Sequence, residues 1–237
     1  MLSVNNLSVF SVQQQLVKEV SFQVSAGECV GMVGASGSGK SILAHALLDS
    51  VPLGFTRRGN IKTDCRIALI PQSGSYLNPT AKVGQQLMAL AVSESLLASV
   101  IDHYQLDALL PLYPGQLSGG MTKRVLCAIA MVQDSQLVIA DEPTAGVDSR
   151  RSAEMLRGLA GFAQEGKGVM VISHDIAALA PIVDRLLVFR QGELVDETNL
   201  SQILLEQCHP YTQSLWQAAP ENWLSRALEE PRYAKTA

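Results

Sequence analysis

The stretch that most constrains this chain is the eight-residue segment 34–41, which has the sequence GASGSGKS. A short apolar run, residues 29–33, precedes it, and residues 42–48 follow it with a helical pattern. A strand, a turn with the spacing G-x-x-x-x-G-K-[ST] and a helix are together typical of a phosphate-binding loop. The chain is therefore expected to hold phosphate groups at the junction of a buried strand and a helix. The alternative is a Gly/Ser-rich turn that binds nothing.

The residue types of this loop match the chemistry that phosphate requires. Glycines let the backbone wrap tightly, so that consecutive N–H groups point at phosphate oxygens, and the following helix adds its partial positive charge. A lysine in this position reaches the β- and γ-phosphates, and the hydroxyl after it ligates Mg²⁺. The predicted nucleotide-binding residues here are Gly34, Ala35, Ser36, Gly37, Ser38, Gly39, Lys40 and Ser41.

Composition narrows the class of protein. The chain has 237 residues, of which 47% are hydrophobic, enough for one α/β domain with a sizeable core. Its net charge of −4 gives no electrostatic basis for binding nucleic acid. Its apolar runs fall short of the roughly 20 residues that a membrane-spanning helix needs. Its four cysteines lie far apart without metal-ligand spacing, so buried, reduced thiols are expected.

Short apolar strands, each followed by a polar residue or a glycine, alternate with helices along the chain. This order is typical of a mainly parallel sheet whose ligands lie at the carboxyl ends of its strands. Gly34, Gln72, Asp141 and His174 all occupy such positions, so one nucleotide pocket is expected to gather them. Residues 2–10 and 16–24 instead alternate as antiparallel strands do. Residues 57–59 are expected to form a polar loop, and residues 83–110 a helical stretch.

The acidic pair at residues 141 and 142 suggests a division of labour. Asp141 has the position of the carboxylate that holds Mg²⁺ in P-loop proteins, and Glu142 would polarise the attacking water as general base. His174 is expected to contact the γ-phosphate, and Gln72 to contact Mg²⁺ and water. The predicted catalytic residues are thus Glu142, His174 and Gln72, and the predicted metal ligands are Ser41, Gln72 and Asp141. A solvated turn is the alternative for the acidic pair.

Two further features are open to two interpretations each. Ser118, Gly119 and Gly120 begin a helix, where they form either a simple N-cap or a second anion site. A second site is explained by a head-to-tail pair of subunits, in which each chain's Ser118 closes on the other chain's ATP. Phe10, at the end of the first strand, is either an ordinary strand residue or a stacking partner for adenine.

The order of these segments carries a family resemblance. The phosphate loop, Gln72, the signature segment 117–121 (LSGGM), the strand ending in Asp141 and Glu142, the segment 145–148 (AGVD) and His174 follow one another along nearly the whole chain. Together they resemble the ATP-binding subunit of an ABC transporter. The LSGG sequence is the most specific of these motifs, because other P-loop families lack it.

The resemblance implies an α/β P-loop NTPase (ABC ATPase) core with a mixed sheet, an antiparallel β subdomain and an inserted α-helical subdomain. It implies one ATP-binding domain over residues 1–205, with the helical subdomain at about 76–132, and a short C-terminal extension over 206–237. It also places Asp148 in a loop that couples two ATP sites and so among the nucleotide-binding residues. The expected cofactors are ATP and Mg²⁺. The helical subdomain is expected to receive a cytoplasmic helix of a membrane subunit.

The implied partners are two membrane permease subunits and a second ATP-binding subunit, either a related chain or a second copy. A periplasmic or extracellular solute-binding protein is expected to act through the permeases, and no nucleic acid is expected. The implied location is the cytoplasmic face of the bacterial inner membrane, to which the subunit binds peripherally.

A finer resemblance concerns the cargo. Segments 75–79 (SYLNP) and 209–215 (HPYTQSL) resemble the bacterial peptide and nickel import ATPases. Met121 stands where the wider family usually has Gln, whereas the nickel-import members tend to carry Met there and resemble this chain in their short tail. The tail also lacks the cysteine cluster of many dipeptide-type members. We therefore expect import of nickel or a metal chelate, with dipeptide or oligopeptide import as the alternative.

Two other classes of protein fit the residues less well. A soluble ABC-type ATPase acting on nucleic acid or ribosomes generally carries two ATP domains or long inserts and a basic surface, whereas this chain has one set of motifs and an acidic balance. A P-loop kinase or GTPase working alone has no use for Ser118, Gly119 and Gly120, and the guanine-reading Asn-Lys-x-Asp motif is absent.

Overall fold

The computed structural model describes residues 1–147 and 149–219, without the side chains of residues 149–151. Its strands are β1 (Leu2–Phe10), β2 (Gln15–Val24), β3 (Cys29–Gly34), β4 (Thr56–Thr63), β5 (Ile67–Ile70), β6 (Leu137–Asp141), β7 (Gly168–Ser173), β8 (Arg185–Arg190) and β9 (Glu193–Thr198). Its α-helices are α1 (Lys40–Leu47), α2 (Val83–Leu90), α3 (Glu94–His103), α4 (Gly119–Val132), α5 (Ser149–Gln164), α6 (Ile176–Leu179), α7 (Leu200–Leu204) and α8 (Pro210–Gln217). Single 3₁₀ turns occupy Gly74–Tyr76, Asp107–Leu109 and Pro114–Gln116.

The larger sheet has the strand order β5-β6-β7-β3-β8-β9. Strands β5, β6, β7, β3 and β8 run parallel to one another, and β9 pairs antiparallel with β8. Every residue of β3, β6 and β7 is buried, as expected for strands covered on both faces. The carboxyl ends of β5, β6, β7 and β3 therefore form one edge, where the predicted site residues lie.

Two apolar cores lie on the two faces of this sheet. Along β6, Val138 and Ala140 belong to the core packed beneath α4 and α5, whereas Leu137 and Ile139 belong to the core shared with α1 and the smaller sheet. Successive strand residues point to opposite faces, so the uniformly apolar strand serves both cores. Full burial of a side chain such as Ile139 stabilises the fold by about 1.5–3 kcal/mol.

The smaller sheet is antiparallel, with the order β2-β1-β4. The prediction of a polar loop at residues 57–59 was wrong, because Arg57 and Arg58 lie in β4 and pair with β1. The register between these strands shifts after Asn5, and Gly59 lies against the backbone of Asn6 with a φ of +102°. A glycine is needed there because a Cβ would collide with that backbone. The charged, exposed residues of β4 match an edge strand that must not pair further.

The helical stretch predicted over residues 83–110 is divided into α2, α3 and a 3₁₀ turn. The break between α2 and α3 ends at Ser93, whose side chain accepts a hydrogen bond from the Leu96 N–H and so caps α3. The backbone N–H of Val92 donates to the carbonyl of Val132 at the end of α4. This link to a distant part of the chain accounts for the break that periodicity alone did not predict.

The predicted mixed sheet, antiparallel sheet and packed helices are all present, so the fold class is confirmed. Within the described ranges, no helix is both long enough and apolar enough to cross a membrane. Helix α8 packs through Trp216 onto the core beneath α4 and α5, and the buried Thr212 hydroxyl donates to Asp196 of β9 over 2.6 Å. Residues 220–237, most of the predicted C-terminal extension, lie outside the described residues.

Candidate functional site: a phosphate loop and an acidic strand end

The loop between β3 and α1 has the backbone shape that phosphate binding requires. Gly37 and Gly39 have φ values of +77° and +101°, in the left-handed region that favours glycine. A Cβ on Gly39 would lie 2.6 Å from the carbonyl oxygen of Leu16, so the loop also passes close to β2. Gly39 is the N-cap of α1 and provides no side-chain acceptor. The first N–H groups of α1 therefore lack the capping side chain that would otherwise satisfy them.

The Lys40 side chain is folded into this loop. Its Nζ donates to the carbonyls of Gly34 and Ala35 over 2.7 and 3.1 Å and lies 3.4 Å from Ser38 Oγ, and the residue is only 6% exposed. Burial lowers the pKa of Lys40, and the negative charges of Glu142 and Asp141 oppose that shift. A buried ammonium and uncapped N–H groups around one concave loop form a donor set that fits the phosphates of ATP.

Ser41 and Asp141 meet directly, although 100 residues separate them in the chain. Ser41 Oγ donates to Asp141 Oδ1 over 3.2 Å, and Asp141 is buried at the end of β6. Burial raises the pKa of Asp141, whereas the hydrogen bond from Ser41 and the charges of His45 and Lys40 act in the opposite direction. A carboxylate and a hydroxyl are hard oxygen donors of the kind that Mg²⁺ selects, so the pair fits that ion.

Glu142 and His174 form a second pair at the same edge. His174 Nδ1 lies 3.0 Å from both carboxylate oxygens of Glu142, whose side chain is 13% exposed against 63% for His174. The Glu142 N–H donates to the carbonyl of Ile172 in β7, and the residue has a φ of +46°. Left-handed backbone is unusual for glutamate, so its neighbours must hold this conformation. The geometry thus orients the predicted base with the predicted phosphate-contacting histidine.

Gln72 lies beside the Ser41–Asp141 pair. Ser41, Gln72 and Asp141 line one cavity of about 180 Å³, together with His45 and Tyr76. Tyr76 OH lies 3.2 Å from His45 Nε2, so this contact ties the segment after Gln72 to α1. The structure therefore gathers all three predicted metal ligands at one cavity. Their roles as ligands remain predictions.

The signature segment lies elsewhere on the surface. Ser118 is the N-cap of α4, and its Oγ accepts a hydrogen bond from the Met121 N–H over 3.3 Å. Ser118, Gly119 and Gly120 are exposed. Ser118 and Gly120 line a different cavity, of about 690 Å³, between α3, α4 and α5. Ser118 thus caps the helix, as one of the two interpretations expected. Contact of this exposed segment with the nucleotide of a second subunit stays a prediction.

Phe10 and Asp148 were also predicted to contact the nucleotide. The guanidinium carbon of Arg58 lies 5.3 Å from the centre of the Phe10 ring, so a cation covers one face of that ring. Stacking of adenine on Phe10 remains a prediction. Asp148 lies outside the described residues.

Lys123 is a site residue that sequence reasoning missed. It is 6% exposed, and its Nζ donates to the backbone carbonyls of Gln72 and Glu142 over 2.6 and 3.2 Å. Burial lowers the pKa of Lys123, whereas the carboxylates of Asp141 and Glu142 oppose that shift. The signal was present in the helical period, because position 123 shares a face with the buried positions 126, 127 and 130 of α4. A lysine at such a position is rarely buried without a polar partner, so it could have been singled out from the sequence.

All four cysteines are free thiols. Cys29 and Cys127 are buried, as expected, whereas Cys65 and Cys208 are partly exposed. Among the residues that the structure describes, no group of three or more His, Cys, Asp or Glu side chains is arranged to hold a metal ion.

The sequence and the fold are both similar to those of known proteins. Residues 17–145, more than half of the chain, match the family model of the ABC transporter. Over 92% of its length, the chain is 32% identical to the probable D,D-dipeptide transport ATP-binding protein DdpD of Escherichia coli (strain K12), of which it covers 77%. Over 98% of its length, it is 34% identical to the glutathione import ATP-binding protein GsiA of Salmonella choleraesuis (strain SC-B67). It spans only 44% of that relative.

The solved structure of an ATP-binding subunit of an ABC transporter superimposes with a TM-score of 0.75 at 23% identity, covering 96% of this chain and 99% of the other.

Proposed function

Because this chain belongs to the ABC transporter family as an ATP-binding subunit, we propose that it hydrolyses ATP to drive import of short peptides through a membrane complex. The observation that carries the proposal is the junction of three elements at one sheet edge. The phosphate loop brings Lys40 and Ser41, β6 brings Asp141 and Glu142, and β7 brings His174.

The cargo is the part of the proposal that the relatives inform. Their printed names refer to D,D-dipeptide and to glutathione, so they favour the peptide alternative over the nickel import that we expected first. The nickel expectation depended on Met121 and the short tail. Met121 packs against the core and lines the cavity beside α4. This contact offers no preference for either cargo.

The hydrolytic mechanism follows from the residues at the edge. Lys40 would turn its ammonium from the carbonyls of Gly34 and Ala35 to the β- and γ-phosphates, with backbone N–H groups holding the remaining oxygens. Ser41, Asp141 and Gln72 would hold Mg²⁺. Bound Mg²⁺ would supply charge neutralisation at the phosphates.

Glu142 would accept the proton of the attacking water, and His174 would fix the carboxylate and contact the γ-phosphate. Ser118, Gly119 and Gly120 would complete the phosphate shell of a second ATP-binding subunit. Closing the pair would then favour the ATP-bound state, because only the closed pair makes these contacts.

The partners belong to the same proposal. Two permease subunits would receive the motion of the helical subdomain, at about residues 76–132, on the cytoplasmic face of the inner membrane, and a solute-binding protein would deliver cargo. Met88, Leu90 and Val92 support docking there, because they are exposed apolar side chains at and just after α2. The second ATPase would be a related chain or another copy. We retain residues 1–205 as one domain and 206–237 as an extension.

Uptake by cells tests the proposal. A strain lacking this chain would be supplied with a labelled dipeptide, labelled glutathione or ⁶³Ni²⁺ and complemented with wild type or Glu142→Gln. We expect loss of peptide or glutathione uptake, restored by the wild type and not by Glu142→Gln. Loss of nickel uptake alone would return the assignment to metal import. Normal uptake of all three would refute the import role.

A further inference from the structure

Lys123 has a position that the hydrolytic mechanism does not yet use. It lies in α4, five residues after Ser118, and its Nζ donates to the carbonyls of Gln72 and Glu142. One side chain therefore links three segments: the signature helix, the segment after β5 and the turn after β6. The last two hold the predicted water-contacting glutamine and the predicted general base.

A buried ammonium is a costly way to join backbone segments. Charged groups leave water at a large penalty unless they are paired, and the two partners of Lys123 are neutral carbonyls. The carboxylates of Asp141 and Glu142 act on the ammonium through space, without a direct ion pair among the contacts described. The structure thus places a buried ammonium at the acidic strand end, in direct contact with the backbone of two predicted site residues.

We propose that Lys123 is a positioning residue that holds Glu142 and Gln72 in register from the signature helix. The proposal rests on the proposed function, because it assumes that Glu142 is the base and that Ser118 meets a second subunit's ATP. Under that assumption, α4 carries Ser118 at its exposed end and Lys123 at its buried side. A shift of α4 on engaging the partner's nucleotide is passed to the chain's own base.

The backbone of Glu142 makes this link effective. Its left-handed conformation is unfavourable for a glutamate, so its neighbours must hold it: the carbonyl accepts from Lys123 Nζ and from the Ala145 N–H, and the N–H donates to the carbonyl of Ile172. Small displacements of a base relative to the attacking water reduce turnover strongly. Lys123 acts through these backbone contacts and need not touch the substrate.

Three variants distinguish a positioning role of Lys123 from a role in packing alone. Each is made in the full-length chain, which carries a tag and is purified together with its transport complex. Lys123→Met keeps the length and removes the donors. Lys123→Arg keeps the charge and the donors, and Lys62→Met, on the exposed edge of β4, is the matched control. The measurements are ATP turnover, ATP affinity and the thermal midpoint of each variant.

We expect Lys123→Met to lower kcat by about tenfold or more while ATP affinity stays within about threefold of wild type. Lys123→Arg should recover much of the turnover, and Lys62→Met should match wild type. Unchanged kcat in Lys123→Met, or an equal loss of turnover and affinity, would overturn the proposal. Should Lys123→Met fail to fold, Lys123→Leu, which also removes the donors and suits the apolar face of α4, is judged by the same criteria.

Glu142→Gln, measured in the same preparation, separates the two proposals. If Glu142→Gln loses turnover while Lys123→Met keeps it, the positioning role of Lys123 is refuted and the proposed function stands. Normal turnover in Glu142→Gln would refute the base assignment and therefore the proposed mechanism as well.

Discussion

Replacing Lys40 by Met should separate phosphate binding from folding at the loop. The substitution keeps the length of the side chain and removes its ammonium. In the structure that ammonium donates to the carbonyls of Gly34 and Ala35, so it must give up these bonds when it turns to phosphate oxygens. Two charge-assisted hydrogen bonds contribute about 1.5–3 kcal/mol each. The bonds to phosphate join two charged groups and lie at the upper end of this range, whereas the two bonds to neutral carbonyls lie at the lower end. The net loss is therefore about 3 kcal/mol, or about a hundredfold in ATP affinity.

The assay is equilibrium binding of ATP in the presence of Mg²⁺, by calorimetry or by a fluorescent analogue. Lys62→Met serves as control, because Lys62 is an exposed lysine on β4, and it should bind ATP as the wild type does. The thermal midpoint of Lys40→Met should remain near that of the wild type, since the ammonium is buried at a cost. ATP affinity within about threefold of wild type would refute the phosphate-contacting role of Lys40.

Two further predictions concern other parts of the chain. Burial raises the pKa of Cys127 to about 12, so at pH 8 its thiol stays protonated, and in the native protein thiol reagents should modify Cys65 and leave Cys127 unmodified; equal labelling by mass spectrometry would contradict this. Thr212→Val should remove the hydrogen bond to Asp196, which costs about 1.5–3 kcal/mol of stability and lowers the thermal midpoint by roughly 3–12 °C; Ser214→Ala, on the exposed side of α8, is the control. An unchanged midpoint would refute the contribution of that bond.

Much of the fold was predictable because its signals are local. The phosphate loop lies between a strand and a helix that adjoin it in the chain, and the apolar runs of β6 and β7 each end in the polar residues of the site. The edge strand β4 escaped prediction because its residues are charged and its partner, β1, lies some fifty residues away. Its strand character comes from that pairing and from the bulge at Asn6, which periodicity does not register.

Most residues of the site could be predicted from the sequence, but the contacts between them could not. Ser41, Gln72 and Asp141 were expected at one edge, because the carboxyl ends of parallel strands meet there. The contact of His174 with Glu142 and the carbonyl contacts of Lys123 depend on the register of β6 and β7 and on how α4 packs. Such long-range geometry has no signature in the local sequence.

The most direct test of the account is ATP turnover by Glu142→Gln compared with wild type at saturating ATP and Mg²⁺, with ATP binding measured in parallel. The substitution keeps the shape of the side chain and removes the base. Loss of the base should lower turnover by about a hundredfold or more. ATP affinity should stay near that of the wild type, because Lys40 and the loop remain intact. Near-normal turnover in Glu142→Gln would contradict the assignment of Glu142 as the base for ATP hydrolysis.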